Sequence, residues 1–185
     1  MTAFPVRTRY GWPVIGLHWL TLALLVLVYA IAELSDAFPK GSAGRASVRT
    51  LHESLGLLVF GLVWLRLALR AFAASPAIVP TPPRWQARLA TLVHVALYVL
   101  MIAVPLSGWL MLNADTKEVN WFGTPLPILV APNAWLADVL EDVHEAIAQS
   151  GYALVGLHAA AAVFHHYLLR DNTLRLMWPA LRSAR

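Results

Sequence analysis

His144 and His158 are 14 residues apart, close to four whole turns of an α-helix, so their imidazoles leave one face about 21 Å apart along the axis. That spacing suits two separate sites on one helix. Gly151 lies midway on the same face and His165 one heptad further, while Gly156, Ala159 and Ala160 to Ala162 keep the surroundings small. A bulky flat ligand can then lie against the backbone. Imidazole is a good ligand for iron, and such a helix suits two stacked haems.

The elements that must position these histidines are apolar. The chain of 185 residues is 59% hydrophobic and only 13% charged, against roughly 25% charged in an ordinary soluble domain. Its mean hydropathy is +0.62. This is the composition of a membrane protein, and the eight Trp and five Tyr suit belts at the two interfaces. Ionisable groups inside a membrane span are costly enough to mark function. The absence of Cys excludes disulfides, iron–sulfur clusters and covalent c-type attachment, so any haem must be b-type, held by side-chain ligands. The net charge of +4 comes from basic residues at the ends of apolar runs. They do not cluster, which argues for topology signals and against nucleic acid.

Taken in order, four apolar runs are long enough to cross a bilayer: about 13–32, 51–69, 89–112 and 144–169. The chain reads as a single unit over 1–185, an all-α integral membrane four-helix bundle. The first run contains His18 and is too long for the apolar part of a signal peptide, so it reads as a retained span. Residues 33–50 form a polar loop. His52 opens the second run, and Arg66 and Arg70 close it. A proline-dense connector, ASPAIVPTPPRW, leads to the third run, which holds His94 near its start. Pro105 and Gly108 near its end imply a kink or a loosened turn. Residues 113–143 are the longest connector, with room for a short interfacial helix.

Four spans put both termini on one side. Ten Lys or Arg lie on that side and four on the other, counting Arg7 and Arg9 before the first span. The positive-inside rule therefore makes both termini cytoplasmic. His18 and His158 then belong to the inner half and His52 and His144 to the outer half. Depth pairs His52 with His144 and His18 with His158. Paired imidazoles leave no open iron position and favour electron transfer. His94 competes with His18 on depth, and the sequence alone leaves that choice open in favour of His18. His165 and His166 lie too near the inner surface for the outer site. They are candidates, with His94, for hydrogen-bonding and protonating a quinone headgroup. Arg45 and Arg49 outside, and Arg9, Arg66, Arg70 or Arg170 inside, are candidates for haem propionates.

His18-Trp19 at the first span, His52 with Gly56 in LHESLG, and the block GYALVGLHAAAAVFHHYLLRDNTLRLMWP resemble the bacterial cytochrome b561 family. The family is similar in layout to the cytochrome b subunits of formate dehydrogenases and nickel–iron hydrogenases. The resemblance implies four helices in the bacterial inner (plasma) membrane, two haem b with ligands His18, His52, His144 and His158, and exchange of electrons with ubiquinone. It further implies one of two activities. One is a superoxide oxidase passing electrons from superoxide to ubiquinone. The other is a membrane partner of a periplasmic dehydrogenase or redox carrier, for which the acidic outer connector, with six Asp or Glu from Asp115 to Glu145, would serve as a docking surface.

Overall fold

A computed structural model describes residues 9–179. Four long helices account for most of it: α1 Trp12–Ser35, α2 Ala43–Phe72, α3 Arg84–Ala114 and α4 Ala134–Phe164. Each contains a stretch long and apolar enough to cross a membrane. A short α5, Thr173–Met177, follows α4. The first and last described segments meet at one end of the bundle, where the Tyr10 amide donates to the Leu176 carbonyl at 3.3 Å and Trp19 Nε1 to the Met177 carbonyl at 2.8 Å. Arg7, Arg182 and Arg185, which contribute to the charge asymmetry, lie outside the described residues.

All four helices extend beyond the apolar runs, because hydropathy marks where a helix is in lipid and not where it starts. The second begins at Ala43, inside the expected polar loop, where the Ser42 side chain caps it by accepting from the Arg45 amide at 3.2 Å. The largest correction concerns the fourth. It begins at Ala134 and not near His144, capped by the Asn133 side chain, which accepts from the Leu136 amide at 3.0 Å. Asp138, Glu141 and Asp142 had removed this first stretch from the hydropathy count. The expected interfacial helix within 113–143 is therefore the start of α4. The rest of that connector carries a two-residue antiparallel ladder, Asn120 opposite Pro125 and Trp121 opposite Thr124. Its turn places Phe122 and Gly123 at φ 48 and 87, where glycine is at home. The third helix continues through Pro105, which has no N–H to offer the carbonyl of Met101 and crowds it with its ring.

Packing is inside-out relative to a soluble protein. Val26, Leu27, Leu65, Leu92, Val95, Val99 and Val163 are exposed, as lipid-facing side chains should be. The buried cluster is Val59, Val63 and Met101, with Leu24, Leu25, Val28, Tyr98 and Ile102 against it. It occupies the middle of the bundle. Leu25, Val59, Met101 and Gly151 each lie seven residues from a histidine on their own helix, so they form a layer between two histidine levels. At Gly151 a Cβ would collide with Tyr29 Oη and would stand 3.1 Å from Leu100. The missing side chain lets Tyr29 reach across and donate to the Ala148 carbonyl at 2.7 Å, fastening α1 to α4.

Candidate haem-binding sites

At the first level α2 contributes His52 and α4 His144, with ring centroids 6.3 Å apart. Two imidazoles on opposite faces of one metal, each at a bond of about 2 Å, have centroids roughly 6 Å apart. Both rings are oriented from the backbone. His52 Nδ1 lies 3.3 Å from the Val28 carbonyl, and His144 Nδ1 2.9 Å from the Val104 carbonyl and 3.2 Å from Ser107 Oγ. A carbonyl only accepts, so each Nδ1 carries the proton and each Nε2 keeps its lone pair for a metal.

These rings border a cavity of about 460 Å³ lined by all four helices, among them Tyr29, Arg49, Gly56 and Gly108. That volume is in the ordinary range for a small-molecule or cofactor site. The two glycines do different things. A Cβ at Gly108 would stand 3.1 Å from His144 Cε1 and 3.2 Å from Nδ1, whereas one at Gly56 would meet nothing within 4 Å. Gly108 lets α3 approach the ring, and Gly56 leaves open a cradle one turn from His52. The residues present at this level fit a bis-histidine haem.

Three histidines gather at the second level. His158 is 6.1 Å from His18 and 5.3 Å from His94, centroid to centroid. The His18 distance matches opposed ligation and the His94 distance is shorter than it. The hydrogen bonding differs from the first level, however. Arg66 Nη2 donates to His18 Nδ1 at 2.7 Å, and since arginine has no acceptor, the proton of His18 sits on Nε2. Ligation through His18 Nε2 requires that bond to break. Arg66 also stacks over Tyr98, 5.7 Å from the ring centroid, and has no carboxylate partner among the described residues.

Two of the other candidate arginines are committed elsewhere. Arg45 pairs with Asp36 at 2.9 Å and donates to the Phe38 carbonyl, closing the loop between α1 and α2. Arg70 holds Tyr10 Oη at 2.8 Å and Ser75 Oγ at 2.9 Å. Lys117 pairs with Asp115. Arg49 remains at the cavity wall.

His165 and His166 stand apart from both levels. Helix α4 ends at Phe164 and widens into a π-turn, His165–Leu169, in which His165 Nδ1 meets Asp171 Oδ2 at 2.5 Å. His166 Nδ1 is buried without a partner among the described residues. Sequence reasoning had not singled out Asp171, because six residues is not a helical contact spacing. It also missed a tyrosine pair at the mouth of the cavity. Tyr29 and Tyr152 pack edge to face at 4.5 Å, and Tyr152 donates to Glu33 at 2.7 Å.

Residues 9–180 match the family described as prokaryotic cytochrome b561. The chain is similar to "Cytochrome b561 homolog 1" of Escherichia coli (strain K12), 38% identical over 171 residues that cover 92% of this chain and 97% of that protein. It is 34% identical over 178 residues to "Probable superoxide oxidase CybB" of Yersinia pestis, covering 96% and 100%. "Cytochrome b561 homolog 2" of Escherichia coli (strain K12) is 30% identical over 171 residues, covering 91% and 90%.

Proposed function

The chain belongs to the prokaryotic cytochrome b561 family of membrane haem proteins that transfer electrons, and we propose that it oxidises superoxide at its outer side and reduces ubiquinone at its inner side. The balanced reaction takes two superoxide anions, one quinone and two protons to two dioxygen molecules and one quinol. The observation that carries the reading is the pairing of His52 with His144 at 6.3 Å, both Nδ1 atoms committed to backbone carbonyls, above a second histidine level. The likeness to a relative named as a superoxide oxidase supports the choice of donor.

Haem b held between two imidazoles supplies one-electron storage and transfer with no open position at the iron. His52 and His144 would hold the outer haem. His18 and His158 would hold the inner one, and Arg66, freed from His18, is the half-buried cation that would neutralise a propionate. The Leu25, Val59 and Met101 layer keeps water out between the levels. Arg49 at the outer cavity draws the superoxide anion. His165 serves the quinone headgroup, with His166 and His94 as the other candidates for that role. The excess of Lys and Arg at the ends where the termini lie supports a cytoplasmic placement of those ends, in the bacterial inner membrane.

The test is a superoxide pulse given to the purified chain, followed at the haem α band with and without ubiquinone. Rapid haem reduction, with reoxidation only when quinone is present, is the expected result. Haem reduction that occurs only when a co-purified periplasmic subunit and its substrate are added would replace this reading with that of an electron-transfer partner.

A further inference from the structure

The end of α4 is built for more than leaving the membrane. A π-turn is rare and is found frequently at functional sites. Here it spans His165–Leu169, after which Arg170 adopts the left-handed conformation at φ 55 and the Asp171 amide returns to the His165 carbonyl at 3.2 Å. On a regular helix residues i and i+6 point to different sides. The widened turn and the reversal at Arg170 are what bring the Asp171 carboxylate to His165 Nδ1 at 2.5 Å.

The carboxylate is held at both oxygens. Oδ2 meets His165, and Oδ1 accepts from the Thr173 amide at 2.8 Å. Asp171 is buried, and among the described residues it makes no ion pair with Lys or Arg. Beside it, His166 Nδ1 is a buried polar atom without a partner among the described residues. Unsatisfied buried polar atoms in a native fold call for an explanation, and a polar ligand is one. Asn172 ties the segment to the connector after α2 by accepting from the Val79 amide at 2.8 Å and donating to the Ala77 carbonyl at 3.2 Å. The acid is thus fixed from three sides.

A carboxylate accepts and does not donate, so His165 carries its proton on Nδ1 and presents Nε2 outward. An acid placed behind an imidazole in this way orients it and stabilises its cation. We infer that Asp171 is the positioning residue for proton delivery by His165 to the quinone headgroup, which makes this dyad the proton input of the inner site. The inference rests on the inner quinone site proposed above.

Haem b, when bound, would supply the two electrons one at a time. His165, first protonated at Nε2 from the aqueous side, gives that proton to one carbonyl oxygen, the N–H bond breaking as the O–H bond forms, and returns to its neutral Nδ1–H form, while the other oxygen takes its proton from water. His165, about 10 Å beyond His158 along the helix, is then reprotonated from the adjacent aqueous side, with Asp171 stabilising the imidazolium.

The experiment mixes anaerobically reduced holoprotein with ubiquinone-1 and follows loss of the reduced α band. Asp171→Asn should keep both haems and their normal reduction by superoxide, yet slow oxidation by quinone about tenfold or more and enlarge the solvent deuterium isotope effect. Asp171→Glu, which keeps the acid, should recover most of the rate, and it also serves where the Asn variant fails to accumulate. If His165→Ala is slow while Asp171→Asn matches the wild type in rate and isotope effect, the dyad is overturned and the inner quinone site stands. If His165→Ala itself is oxidised at the wild-type rate, the inner site at His165 falls and the dyad with it.

Discussion

Gly108→Ala tests the outer haem seat with one added carbon. The new Cβ would stand 3.1 Å from His144 Cε1 and 3.2 Å from Nδ1, where unstrained carbon contacts begin at about 3.5 Å. The ring must therefore retreat by about 0.4 Å. Its anchor is the Val104 carbonyl, one turn before Gly108 on the same helix, at 2.9 Å from Nδ1. A retreat of that size takes the bond just past the normal range of about 2.7–3.2 Å. Losing most of one such bond costs about 1 kcal/mol, equivalent to roughly fivefold weaker haem retention at that level. The assay is competition for haem by apomyoglobin, followed by difference spectra that separate the two haems. Faster loss of one spectral component, the other unchanged, is expected. Wild-type retention of both would refute the claim that Gly108 sets the position of His144.

Three further outcomes follow from the same geometry. His52→Ala and His144→Ala should each abolish the same spectral component and leave the second, whereas loss of different components would break that pair. At the inner level His18→Ala should lose a haem and His94→Ala keep both, since only the His18 to His158 distance of 6.1 Å matches opposed ligation; the reverse result, read from haem content, would hand the ligand role to His94. Burial of Asp171 opposes its ionisation, but the hydrogen bonds from His165 and Thr173 outweigh it and hold the carboxyl below its ordinary 3.8. A depressed carboxyl contributes stability that is present above that ordinary value and lost as pH falls through the folded one. Limited proteolysis of the α5 end should thus accelerate below about pH 4 in the wild type, and Asp171→Asn should flatten that dependence.

Much of this was readable from spacing. A 14-residue interval on an apolar helix fixes two depths, and the alternation of spans then pairs His52 with His144 whatever the details of packing. The choice between His18 and His94 is different in kind. It depends on which helices are neighbours and which way each faces, and the fold brings both rings to His158. The early start of α4 escaped because charged residues hide a helix from a hydropathy reading, although Asn133 after Pro132 is a recognisable start signal. Asp171 escaped because a π-turn followed by a left-handed residue has no periodicity to read. Arg66 was one arginine among several by sequence, and only its bond to His18 at 2.7 Å distinguishes it from Arg70 one turn later.

The central claim is that two paired-histidine seats at two depths hold two haems. A pyridine haemochrome assay against protein concentration, with low-temperature electron paramagnetic resonance of the oxidised protein, tests it most directly. Two haem b per chain, both low-spin, is the predicted result. One haem per chain, or a high-spin signal from an iron lacking its second histidine, would contradict it.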